Sequence, residues 1–178
     1  MTTSKPTLNQ IQSSTKPSED FYIKLEDNIY EVKFIGFKMR DIETNQVYHE
    51  FYAQDKYQLD IFASHILEYI FPHQVLKCKT IGTNLNFCVG DKPVTDLVFI
   101  EKHFLEGELA KSYQFDFPFF MPNSVNNIEF IYHVPEMSNE IKEKISKKED
   151  INAFSDTFIF ADGDLIIHRR AKYVYKSD

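Results

Sequence analysis

Tyr113, Phe115, Phe117, Phe119 and Met121 occupy alternate positions of one short segment. Side chains on a strand point to opposite faces with a period of two, so this spacing predicts a strand with five large apolar groups on one side. Its other side reads Gln114, Asp116, Pro118 and Phe120. A chain with such a wall must either mesh it into a second layer or leave it lining an apolar hole.

The rest of the composition agrees with a layered β domain. The 178 residues suffice for about one domain. Among them are 17 Phe and 10 Tyr but no Trp and only 5 Gly, and aromatic residues favour pleated, half-buried surfaces. The net charge is −7, with no basic run beyond Arg169–Arg170. A nucleic-acid binder needs a basic stripe against phosphate, so nucleic acid is not an expected partner. The same acidity disfavours docking on an anionic leaflet, and no apolar run approaches the ~20 residues of a membrane span. Cys78 and Cys88 have a spacing compatible with a disulfide between neighbouring strands. With no apolar leader at the start, reduced thiols and a cytoplasmic setting are the expectation.

Residues 1–19 are nearly all polar and are expected to be a disordered tail, with one β domain over 20–178. Tyr30, Val32 and Phe34 alternate, Gly36 interrupts, and Phe37 and Met39 resume on the other parity, the pattern of a bulge. Val47–Tyr52 alternates again, and Tyr57–Phe71 reads equally as helix or strand. Leu76/Cys78 and Leu85/Phe87/Val89 predict strands on either side of a turn near Gly82. Further turns are expected at Gly90–Pro93 and Pro122–Ser124, flanking a strand over Leu97–Phe104 and the aromatic wall. Ser138–Ser146 predicts a short helix with Ser138 as N-cap and Ile141 and Ile145 on one face. Phe158–Ala161 and Leu165–His168 form a hairpin about Asp162-Gly163-Asp164, and a separate last strand carries Tyr173 and Tyr175. Eight or nine short strands suggest a β-sandwich, with a closed barrel as the competing architecture.

No assembled chemistry is visible. The six His make no metal-ligand spacing, Asp162-Gly163-Asp164 lacks the ladder of a calcium loop, and no nucleophile elbow or phosphate loop occurs. No catalytic, metal or cofactor residues are assigned. Glu101 and His103 share parity with Leu97 and Phe99. Either the strand rolls outward there, or it aims a carboxylate into an apolar interior, where it needs a donor. Tyr69, Tyr113, Tyr132 and Tyr173 each combine an apolar ring with a polar tip, which fits core packing as well as a site.

Several longer motifs carry a resemblance. Val89-Gly90-Asp91-Lys92-Pro93-Val94 precedes Ile100-Glu101-x-His103-Phe104. Lys111-Ser112-Tyr113-x-Phe115-x-Phe117-x-Phe119 runs into Pro122-x-Ser124-x-Asn126 and Ile131-Tyr132. Ser155-Asp156-x-Phe158-x-Phe160-x-Asp162 and Ala171-x-Tyr173-x-Tyr175 close the chain. Over roughly residues 28–178 this text resembles the uncoordinated-119 family of myristoyl-binding lipid chaperones, within the GMP phosphodiesterase delta-subunit superfamily. The prenyl-binding branch shares Leu76-Lys77-Cys78-Lys79 and Leu85-Asn86-Phe87 in similar form but lacks Gly-Asp-Lys-Pro-Val.

The resemblance implies an all-β, immunoglobulin-like sandwich with one or two short helices and a lipid cavity between its sheets. It implies N-myristoylated proteins as cargo, no enzymatic activity, and release by a GTP-bound Arf-like small GTPase in cytoplasm, cilium or flagellum. It places Glu101, Tyr69 and His103 at the lipid amide, and Phe37, Tyr113, Phe115 and Phe117 deeper. Ile66, Val75, Ile81, Tyr132, Ile159 and Tyr173 complete the implied lining. Ile66 and Val75 stand where relatives carry Phe, Ile159 where they carry an aromatic and Phe130 where they carry His. Smaller side chains at 66, 75 and 159 imply a wider or deeper pocket. A prenyl ligand, or a ligand-free interaction sandwich, are the alternative functions.

Overall fold

Apolar alternation builds nine strands in two sheets in the computed structural model, which describes residues 5–53, 64–147 and 149–176. The first sheet has the order β2-β1-β4-β7, from β1 (Lys33–Asp41), β2 (Val47–Tyr52), β4 (Thr80–Cys88) and β7 (Val125–His133). The second has the order β3-β9-β8-β5-β6. It is built from β3 (Ile66–Pro72), β5 (Leu97–Leu105), β6 (Glu108–Phe117), β8 (Ala153–Ala161) and β9 (Asp164–Lys176). All neighbours pair antiparallel except β3 and β9, which run parallel. The sheets face each other as an all-β sandwich and do not close into a barrel.

The core between them packs Phe34, Leu85, Phe87, Phe99, Phe130 and Ile159, all nearly inaccessible to water. Burying such side chains is worth roughly 1.5–3 kcal/mol each, which holds the layers together. Gly36 does mark an irregularity: the β1–β4 register shifts between Phe34 and Gly36. Phe34 and Phe37 thereby both face inward. The expected helix is α2 (Asn139–Lys147), where the Ser138 hydroxyl accepts from the Ile141 N–H at 3.3 Å. Asp162 and Gly163 take φ of 52° and 88° in the β8–β9 turn. The Asp162 carboxylate accepts from the Thr95 N–H at 2.9 Å and from the Tyr30 hydroxyl at 2.7 Å, a structural role.

The structure corrects four expectations about strands and turns. Leu76 and Cys78 are not on a strand: His73–Lys77 is a 3-10 helix after Pro72. Gly82 is not a turn but an interior position of β4, where a Cβ would lie 2.5 Å from Ile42 Cδ1. The glycine is there to let Ile42 pack across the strand. The five-residue wall is cut to three, because β6 ends at Phe117 before Pro118, which has no ladder donor. Beyond it the parity flips: Phe119 and Met121 are 53% and 62% exposed while Phe120 packs on Phe87. Finally, β9 is one strand of 13 residues, so no separate last strand exists.

The polar tail is also ordered where the structure describes it. Helix α1 (Leu8–Ser13) starts at Thr7, whose hydroxyl accepts from the Gln10 N–H while the Gln10 side chain reaches back to the Thr7 N–H. That is a capping box. Ile11 and Ile23 then pack on Val98, Ile100, Phe158 and Phe160, on the outer face of the five-stranded sheet. Disorder over 1–19 is thus corrected for the segment after residue 7, which straps this sheet and buries it on both faces. Cys78 and Cys88 form no disulfide among the described residues. Tyr57–Phe71 resolves into β3 from Ile66 on, and its first residues lie outside those described.

Candidate functional site

At one end the two sheets part around a cavity of about 210 Å³. A single water needs about 10–15 Å³ by the same kind of measure, so this is no packing defect. Phe34, Leu85, Phe99, Phe130, Ile159 and Ile167 close its inner end, each buried. Tyr173, Tyr175, Leu105, Pro135 and Met137 line the more accessible end. The wall is apolar nearly throughout, with Glu101 the carboxylate in it.

The strand period puts Glu101 there. Phe99, Glu101 and His103 share one face of β5, and Glu101 pairs with Tyr113 on β6 and Thr157 on β8. The strand does not roll outward: the Glu101 side chain is only 15% exposed and the His103 side chain 29%. The His103 Nε2–H donates to Glu101 Oε2 at 3.3 Å. Three tyrosines hold the imidazole, with ring centroids 5.3 Å (Tyr113), 5.8 Å (Tyr132) and 6.0 Å (Tyr173) away.

Four tyrosines feel the same carboxylate. Burial, then the Glu101 charge, pushes the Tyr113 hydroxyl up to about 12. The same two causes raise Tyr69, Tyr132 and Tyr173 above the usual phenol range. All four stay protonated donors at neutral pH. The Tyr113 hydroxyl donates to the His133 carbonyl at 2.7 Å, and Tyr173 shares a hydrogen bond with Ser155 at 2.7 Å. Tyr69 stacks on Phe37 and Phe71, at 5.2 and 5.8 Å, and its hydroxyl has no hydrogen-bond partner among the described residues. The cavity therefore holds an acceptor with spare capacity, Glu101, and a spare donor, Tyr69.

Of the residues singled out from sequence, Phe37, Tyr69, Val75, Ile81, Glu101, His103, Tyr113, Tyr132, Ile159 and Tyr173 line this cavity. Three do not. Ile66 is 49% exposed, because Leu67, Tyr69 and Phe71 take the inward parity of β3. Phe115 and Phe117 face inward but pack shut against Phe130, 4.5 and 5.9 Å between centroids, and so fill the core instead of lining the hole. Sequence reasoning missed Arg169, which is 5% exposed and lines the wall. Its parity with Ile167 on β9 was the available signal. Lys102 was missed too: it points to the opposite face, where its ammonium donates to the Ser14 carbonyl at 2.8 Å and anchors the strap. Among the described residues no cluster of His, Cys, Asp or Glu is arranged to hold a metal ion, and no helix is long and apolar enough to cross a membrane.

Comparison with known proteins agrees with this architecture. Residues 26–175 match the family described as "GMP-PDE, delta subunit". "Protein unc-119 homolog B" of Danio rerio is 37% identical over 168 residues, 89% of this chain and 69% of its own length. The human protein of that name is 35% identical over 90% of this chain and 68% of its own length. "Protein unc-119" of Caenorhabditis elegans is 32% identical, over 95% and 79%. With matches of this extent on a two-sheet fold, the chain belongs to the GMP-PDE delta-subunit family, a family of lipid-binding carriers and not of enzymes.

Proposed function

We propose that this protein sequesters the N-terminal myristoyl group of cargo proteins and carries them through the cytoplasm. The observation that supports this most is the pairing of a spare carboxylate acceptor and a spare phenol donor inside an apolar cavity. An alkyl chain alone needs neither. A fatty acyl group joined to a terminal glycine brings an amide, whose N–H and C=O lose water on burial and need an acceptor and a donor in return. Glu101 takes the N–H and Tyr69 gives its O–H to the carbonyl. A prenyl thioether has no N–H to offer, which favours the acyl reading over farnesyl or geranylgeranyl.

The magnitudes suit a carrier. Burial is worth ~0.8 kcal/mol per methylene, so a myristoyl chain offers roughly 10 kcal/mol, and a bilayer retains a single such chain only marginally. A fitted cavity competes with the membrane. Release by a GTP-bound Arf-like GTPase, and delivery to cilium or flagellum, follow from the resemblance to the uncoordinated-119 proteins and belong to the same proposal. The test is a titration with one labelled glycyl peptide carrying either a myristoyl group or, on an added C-terminal cysteine, a farnesyl group. Tighter binding of the myristoyl form is the expected result; tighter farnesyl binding overturns the choice of ligand.

A further inference from the structure

The cavity does not end on apolar side chains alone. Behind its wall lies a second hollow of about 90 Å³, covered by Ile23, Lys24 and Leu25 of the N-terminal strap. Only β9 separates the two spaces: Ile167 and Arg169 border both. The Arg169 guanidinium lies over the Phe34 ring, 5.3 Å from its centroid, and Phe34 lines the main cavity. Arg169 stands level with Glu101 across the sheet, through Thr157, and its stem carries the planar cation to Phe34 at the inner end, where Ile167 stands beside Ile159.

We propose that Arg169 and Ile167 gauge ligand length: they stop an acyl tail at the inner end of the main cavity and set the longest chain accepted. This rests on the acyl-ligand reading above. Up to the partition, each further methylene gains burial, about fourfold in affinity. Past it, the tail must displace a buried cation from an aromatic face, or enter a hollow whose walls include His65 and His168. Neither is favourable for a terminal methyl. Bulk, more than charge, makes the stop, so a side chain of similar length should close the gap as well.

The experiment uses the full chain and one glycyl peptide acylated with decanoyl, dodecanoyl, tetradecanoyl, hexadecanoyl or octadecanoyl groups, competing against a fluorescent myristoyl peptide. Wild-type affinity is expected to rise with length and then level off. Arg169→Ala and Ile167→Ala are each expected to move that limit by about two methylenes, improving the longest chains by about tenfold or more. Arg169→Met is expected to keep the wild-type limit. Thermal unfolding checks that the variants fold, and either alanine variant alone carries the comparison. Parallel profiles for wild type and variants overturn the gauge, as does wild-type affinity that climbs at a constant factor through octadecanoyl. If no acyl peptide binds at any length, the acyl-ligand reading falls with it, whereas the first two outcomes sink the gauge alone.

Discussion

Glu101 is held in an apolar wall by hydrogen bonds from His103 and Tyr132, with three further protonated tyrosine hydroxyls around it. A half-buried carboxylate is unfavourable unless donors meet it, and a ligand N–H completes the set. Hydrogen bonds to charged groups are worth about 1.5–3 kcal/mol. Glu101→Ala is therefore expected to weaken myristoyl-peptide binding roughly 10- to 100-fold. A farnesyl peptide, which brings no amide to that point, should lose little. Isothermal titration of both peptides against both proteins reads the difference. Equal losses would mean that the carboxylate shapes the cavity and does not recognise the amide.

At the scale of elements, β9 is the hinge between two faces. Arg169 looks into the cavity, while His168 and Arg170 look outward to the strap. There the Arg170 guanidinium donates twice to Asp156, at 2.6 and 2.9 Å, and once to the Ser18 carbonyl at 2.8 Å. The Ser18 hydroxyl donates to Asp156 at 2.9 Å and meets His168 Nε2 at 3.1 Å. Since His168 Nδ1 accepts from the Tyr22 N–H at 3.2 Å, the imidazole is neutral, with its proton on Nε2. Burial, foremost, pushes its pKa down from 6.5 to about 4, Asp156 opposing and Arg170 assisting. The unfolded chain therefore binds the extra proton first, and stability is full above 6.5 and falls as pH drops toward 4. The loss amounts to about 3 kcal/mol for this group. Urea unfolding of wild type and His168→Gln across that range measures it. The variant should start less stable but lose less on acidification, and an identical slope would remove His168 as the cause.

For the whole molecule, the cavity ties folding to binding. A ligand that binds only the folded chain stabilises it by about 2.7 kcal/mol at a hundredfold excess over Kd. For a domain of this size each kcal/mol moves Tm by about 2–4 °C. A myristoylated glycyl peptide should therefore raise Tm by roughly 5–10 °C, and the same peptide without its acyl group should not. Differential scanning fluorimetry distinguishes them. An unchanged Tm with both would leave the sandwich as a protein-interaction module with an empty hole.

Much of this was legible before any fold was drawn. Alternation set the strand positions, the break at Gly36 announced the bulge, and Ser138 announced α2, because each is a local consequence of side-chain period or capping. The inward aim of Glu101 followed from its parity with Phe99, although parity alone left the outward roll open. Local pattern failed at the tail, whose capping box from Thr7 to Gln10 was present but whose few apolar residues looked too sparse to fold. Ile11 and Ile23 are buried only because the five-stranded sheet offers them an outer apolar face. Pattern failed again at Phe115 and Phe117, which share the parity of Tyr113 yet pack shut against Phe130. The sequence by itself determined which residues of an unbroken strand share a face, since that depends on neighbours two positions away. Only the tertiary structure decided where the inward faces touch and where they stand apart, since the gap between two sheets is set by side chains that meet across it from distant parts of the chain.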